Sequence, residues 1–131
     1  MTRKRISKQN RLKLYKRFNG HCAYCGCKIS FEEMEIDHSV PIAKSNSENS
    51  AHFISSNYNL RPTCHDCNNF KNSMSAGEFK FYLEEKLMKE LKKVLPYRIA
   101  LKYGFVQQLF EQKDVSFYIN EHLEEIYPED D

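Results

Sequence analysis

Two cysteine pairs frame the part of this sequence that could do chemistry. Cys22 and Cys25 form the first Cys-x-x-Cys, Cys64 and Cys67 the second, and 38 residues lie between them. One such pair alone could be a redox dithiol. Two in a small chain point to zinc, which takes four soft ligands in a tetrahedron, each pair supplying two thiolates from a tight knuckle. Gly26, directly after the first pair, helps the chain turn. The alternative is a pair of disulfides, which belongs to an oxidising compartment. His65 could replace one cysteine as a ligand, and Cys27 reads as a small, partly buried thiol outside the pattern. Four thiolates leave no open position on the metal, so this zinc is expected to staple the fold and the reaction to lie elsewhere.

Between the knuckles stands Asp37-His38. Aspartate is a hard oxygen ligand suited to Mg²⁺ or Mn²⁺, and histidine titrates near neutrality and can take a proton from water. A metal anchor and a general base are two requirements of phosphodiester hydrolysis. In a regular strand neighbouring side chains point to opposite faces, so the two serve one site only where the strand bends or bulges. Alone, the dipeptide could equally sit in a surface turn.

The elements that must position these residues follow from pattern. Residues 7–19 read as a helix with Leu12, Leu14, Tyr15 and Phe18 on its apolar side and Asn19-Gly20 as its stop. Residues 34–42 suit a short strand turning at Pro41. The Ser- and Asn-rich stretch from Lys44 to Asn57 reads as a surface loop. A helix is expected at about 67–72. Ser75-x-x-Glu78 has the capping-box pattern, and Phe79, Leu83, Leu87 and Leu91 mark one face of a helix ending before Pro96. Residues 97–110 read as a further helix broken near Gly104, and Val115 to Ile119 as a short strand.

The order Cys22-x-x-Cys25, Asp37-His38-x-x-Pro41, Asn59-Leu60, Cys64-x-x-Cys67-Asn68-x-x-Lys71 resembles the HNH endonuclease family over about residues 10–75. The resemblance implies an α+β protein with a ββα-metal core, here stapled by a four-cysteine zinc site. It implies His38 as general base and Asp37 as a ligand of a catalytic divalent cation, Mg²⁺ or Mn²⁺. Asn59 matches the middle Asn, which holds the loop that orients the His. Asn68 stands at the third position, making an H-N-N variant and a second ligand through its amide oxygen; it could also cap the following helix. Lys71 matches a basic residue near the phosphate. The Lys44–Asn57 loop is longer than the usual connection and could shape DNA recognition or be an insertion, the reading that cheap loop lengthening favours. Phe117-Tyr118 resembles a tail found on some members.

Charge is uneven behind a net +2. Arg3, Lys4, Arg5, Lys8, Arg11, Lys13, Lys16 and Arg17 crowd the first stretch without an acid, while acids dominate from Glu111 onward. This fits a basic arm that neutralises phosphates, or simply a solubilising helix. Arg3, Lys4, Arg5, Lys8, Arg11, Arg61 and Lys71 are the candidate nucleic-acid contacts, with DNA the expected partner. Tyr24, His52, Arg61 and His65 lie near the motif and receive no catalytic role. The expected organisation is a nuclease core with its basic helix at 1–75 and a mainly helical extension at 76–131, packed as one domain. No run suits a membrane span and no signal peptide is evident, so a soluble, cytoplasmic protein is expected. One site cuts one strand, so double-strand cleavage would call for a homodimer or sequential nicking. The competing classes are a non-catalytic zinc module that binds nucleic acid or protein, and a redox dithiol protein.

Overall fold

The computed structural model describes residues 6–41, 59–107 and 113–128. These fall into two compact units, residues 1–76 with 116–131, and residues 77–115. Residues 116–128, which the sequence groups with the C-terminal extension, therefore cluster with the cysteine-bearing unit.

The first unit opens on α1 (Lys8–Arg17), capped by the Ser7 hydroxyl, which accepts from the Asn10 amide at 3.2 Å. Leu14 and Phe18 are buried, whereas Leu12 is exposed. The helix stops where expected. Asn19 and Gly20 both have positive φ, and a Cβ on Gly20 would stand 2.8 Å from the Tyr15 hydroxyl oxygen. That hydroxyl donates to the Ile29 carbonyl at 2.9 Å, so glycine lets the chain return close beneath the helix.

The first knuckle follows, closed by Gly26 N–H on Cys22 O at 3.1 Å and by Cys22 N–H on Cys27 O at 2.8 Å. Cys27 itself is exposed, not partly buried as its type suggested. β1 (Glu35–His38) then pairs antiparallel with β2 (Leu60–Thr63), placing Asp37 opposite Arg61 and His38 opposite Leu60. β1 is shorter than the 34–42 expected, because Asn59 intercepts the next residues. Its Oδ1 accepts from Ser39 Oγ at 2.7 Å and Val40 N at 2.8 Å, and its Nδ2 donates to Val40 O at 2.9 Å.

β2 leads into α2 (His65–Lys71), which begins earlier than expected because Cys64 caps it, its Sγ accepting from Cys67 N at 3.4 Å. Asn68 is therefore inside the helix and does not cap it. The expected strand at 115–119 is absent. Phe117 is extended, but Tyr118 starts a helical turn, α6 (Tyr118–Glu121), followed by α7 (Leu123–Ile126). The Tyr118 and Ile119 amides bond the Tyr24 and Ala23 carbonyls at 3.0 and 2.9 Å, so they clasp the knuckle instead of extending the sheet. Phe18, Tyr24, Phe117, Ile119 and Ile126 are buried in this unit.

The helices between are α3 (Ala76–Glu85), α4 (Leu87–Lys92) and α5 (Leu95–Lys102). The single helix expected before Pro96 breaks at Lys86, where φ is −120°. Pro96 sits in the first turn of α5, where its missing N–H costs nothing. Gly104 (φ +81°) ends that helix as expected. Among the described residues, no helix is long and apolar enough to cross a membrane.

Candidate functional site

The four cysteine sulfurs converge. Cys22, Cys25, Cys64 and Cys67 present their Sγ atoms within 4.8 Å of one another, with Cys25 and Cys64 3.9 Å apart. Tetrahedral zinc with bonds of about 2.3 Å separates its sulfurs by about 3.8 Å, so the cluster can hold that ion. The Cys67 thiol, acting on Cys22, lowers the Cys22 thiol to about 5, and the same contact raises Cys67. His65 is not part of the cluster; its Nδ1 lies 2.7 Å from Glu35 Oε2.

Beside the knuckles lies a buried polar cluster. Asp37 is 5% exposed and Lys71 fully buried. The Lys71 ammonium is 3.1 Å from each Asp37 oxygen and donates to the His38 carbonyl at 3.0 Å. The Tyr24 hydroxyl donates to Asp37 Oδ2 at 2.5 Å. Burial, then the Asp37 charge, pushes the Tyr24 phenol above its ordinary range, so it stays a donor. The Tyr24 ring faces the Arg61 guanidinium at 5.7 Å and the Lys71 ammonium at 6.0 Å, and meets Phe117 edge-on at 4.9 Å. This corrects the reading of Lys71 as a phosphate contact: a cation without exposed surface holds Asp37 and the His38 peptide in place instead. Arg61, read as a nucleic-acid contact, has its Nε buried beside Tyr24.

Glu35 and Asp37 share a face of β1, while His38 is the last strand residue, opposite Leu60, where the chain bends at Ser39 and Val40 onto Asn59, the bend that lets neighbouring residues serve one site. His38 is half-buried. Asn68 Nδ2 donates to Glu35 Oε1 at 2.7 Å, and this bond, followed by His65, holds the Glu35 carboxyl below its ordinary range. Sequence reasoning assigns no role to Glu35 or Tyr24. Glu35 was within its reach, because alternation puts it on the face of Asp37; Tyr24 was not, since its contact crosses from the knuckle to the strand.

The basic face of α1 also divides. Arg11 also bonds within the unit, donating to Met34 O at 3.0 Å and lying 5.6 Å over the Phe31 ring. Asn10, Lys13, Leu14 and Arg17 instead line a shallow groove with Leu60. Lys8 is exposed. Arg3, Lys4, Arg5 and the Lys44–Asn57 loop lie outside the described residues.

Comparison with known proteins agrees with the motif order. Residues 22–74 match the family model for HNH endonuclease. A stretch of 55 residues, 42% of the chain, is 44% identical to a CRISPR-associated endonuclease Cas9 from Corynebacterium diphtheriae, of which it covers 4%. The Type II-C Cas9 enzyme of Actinomyces naeslundii superposes with a TM-score of 0.48 at 19% identity, over 87% of this chain and 14% of that one. The chain thus spans a small fraction of either relative. With an Asp37-His38 strand, a two-stranded sheet, a helix carrying Asn68 and a four-cysteine cluster that could hold zinc, the 22–74 segment has the features of the HNH endonuclease family whose model it matches.

Proposed function

We propose that this chain is a metal-dependent DNA endonuclease or nicking enzyme that hydrolyses phosphodiester bonds. What carries the reading is the meeting of β1 and α2. Asp37 and His38 stand on the strand, Asn68 on the helix, and the Glu35–Asn68 and Asp37–Lys71 contacts tie the two together. The endonuclease family match and the relative's name support the same activity.

Asp37 and Asn68 offer oxygen, the donor type that Mg²⁺ and Mn²⁺ take. Among the described residues nothing donates to Asn68 Oδ1, and Asp37 Oδ1 keeps a lone pair beside Lys71, so the donor set fits one divalent cation. When bound, such a cation neutralises the charge that develops on the phosphate during in-line attack. His38 takes a proton from the attacking water while the new P–O bond forms and the bond to the leaving sugar oxygen breaks. Lys71 holds the carbonyl of His38 itself, and Asn59 holds Ser39 and Val40 just after it. Lys13 and Arg17, on the groove beside Leu60, are the cations that would meet flanking phosphates. The four thiols hold one structural zinc, which takes no part in the hydrolysis.

A non-catalytic zinc module that binds nucleic acid or protein is the second reading, and the Lys71–Asp37 pair favours it, because an ammonium already neutralises the carboxylate. Plasmid nicking by the zinc-loaded chain with added Mn²⁺ separates the two. Nicking that His38→Ala abolishes supports the nuclease; no nicking by a folded, zinc-replete chain supports the module.

A further inference from the structure

We propose that Glu35 is a positioning residue that sets the orientation of the Asn68 amide, so that its oxygen faces the cation site. The inference rests on the reading of Asn68 as a cation ligand. A carboxamide presents an oxygen or an NH₂ depending on a half-turn about its last bond, and only the oxygen can hold a cation. Ionised Glu35 is acceptor-only. With its Oε1 at 2.7 Å from Asn68 Nδ2, it accepts one orientation and opposes the other, in which two oxygens would meet.

The clamp is held from both ends. Glu35 Oε2 is 2.7 Å from His65 Nδ1, and His65 and Asn68 are three residues apart on α2, so they share a helix face. Glu35 and Asp37 share a face of β1. The two carboxylates of the strand therefore divide the work: Asp37 is the ligand, and Glu35 orients its fellow ligand across the strand–helix junction. Groups that orient metal ligands in this way typically matter about 10–100-fold in metal affinity. Glu35 and His65 are partly and largely exposed, with side chains 35% and 72% accessible, so the pair contributes little to folding. Its removal is therefore readable without unfolding the chain.

The test is Mn²⁺ binding to the full, zinc-loaded chain, monitored by electron paramagnetic resonance of free Mn²⁺, for Glu35→Ala, Glu35→Gln, Asn68→Ala and the Glu35→Ala/Asn68→Ala double variant. Zinc content and melting temperature serve as fold controls. Glu35→Ala should weaken binding about 10–100-fold. Glu35→Gln, whose amide can accept from Nδ2 but can equally donate to a flipped Oδ1, should recover only part of that loss. Glu35→Ala should add nothing once Asn68 is gone. In the metal-free chain, Glu35→Ala should also speed the exchange of the Asn68 side-chain NH₂ protons seen by NMR. If the losses of Glu35→Ala and Asn68→Ala add in the double variant, Glu35 acts as a distant charge and the positioning role is overturned. Unchanged binding in Glu35→Ala beside a loss in Asn68→Ala overturns it too, and leaves the cation site standing. Unchanged binding in Asn68→Ala removes Asn68 as a ligand, and Glu35's role with it.

Discussion

Replacing Lys71 with methionine isolates the interaction that holds Asp37 in place. Methionine keeps most of the stem's packing and removes only the ammonium. That ammonium is 3.1 Å from both Asp37 oxygens and 3.0 Å from the His38 carbonyl, in a side chain with no exposure. Without it the Asp37 carboxylate, 5% exposed, keeps only the Tyr24 hydroxyl among these partners. Removing one partner of a buried pair costs about 3–5 kcal/mol, since the other charge stays behind uncompensated. That is a large share of a typical domain stability of about 5–15 kcal/mol. With a urea slope of about 2 kcal/mol per molar, the midpoint should fall by roughly 2 M. The assay is urea unfolding at a fixed excess of zinc, so that metal linkage is the same for both proteins. Adding Asp37→Asn to Lys71→Met should restore part of the loss, because no buried charge then lacks a partner. A shift of less than about 0.5 kcal/mol for Lys71→Met, the range of ordinary surface changes, would refute the buried-pair reasoning.

Other expectations follow from the same geometry. Cys64→Ser removes a zinc ligand while its hydroxyl can still cap α2, so the protein should lose its metal and its cooperative melting transition; a zinc-free variant that melts like the parent would contradict the staple. Tyr24 has its folded pKa raised, so the unfolded chain releases that proton first and stability should fall as pH rises past the ordinary tyrosine value of about 10; a flat alkaline profile would contradict its burial against Asp37. Lys13→Ala with Arg17→Ala should reduce the salt dependence of DNA binding by about one unit of slope for each phosphate left without its cation, while Lys71→Met should leave that slope unchanged; equal slopes in all three proteins would remove the α1 groove from the interface.

The cysteine site was legible because a knuckle is a local motif: two residues between thiols fix the turn, and zinc chemistry fixes what four of them do. Asn59 was pointed to by the family resemblance and not by local pattern; in the structure its one amide bonds both Ser39 and Val40. Burial was not legible. Lys71 reads from sequence as a basic residue near the phosphate, and its ammonium is absorbed by Asp37, 34 residues away. Glu35 had no motif of its own, and its meaning comes from Asn68, 33 residues on. The segment from Phe117 has the β-branched and aromatic composition of a strand. It finds no strand partner, because the Ala23 and Tyr24 carbonyls take its amides and the chain coils into a helical turn. Likewise the four-residue apolar period from Phe79 to Leu91 is compatible with one helix, and nothing in that period marks the break at Lys86.

The most direct measurement is cleavage of supercoiled plasmid DNA by the zinc-loaded chain, in buffer cleared of other divalent ions, with and without Mn²⁺ or Mg²⁺, for the parent and His38→Ala. Cleavage should require the added ion, and His38→Ala should lose about 10²–10⁴-fold in rate, the usual contribution of a general base, while keeping its zinc and its melting temperature. Cleavage without an added divalent ion, or at the parental rate in His38→Ala, would contradict the division of labour between an imidazole that takes the proton and an Asp37–Asn68 pair that holds the metal.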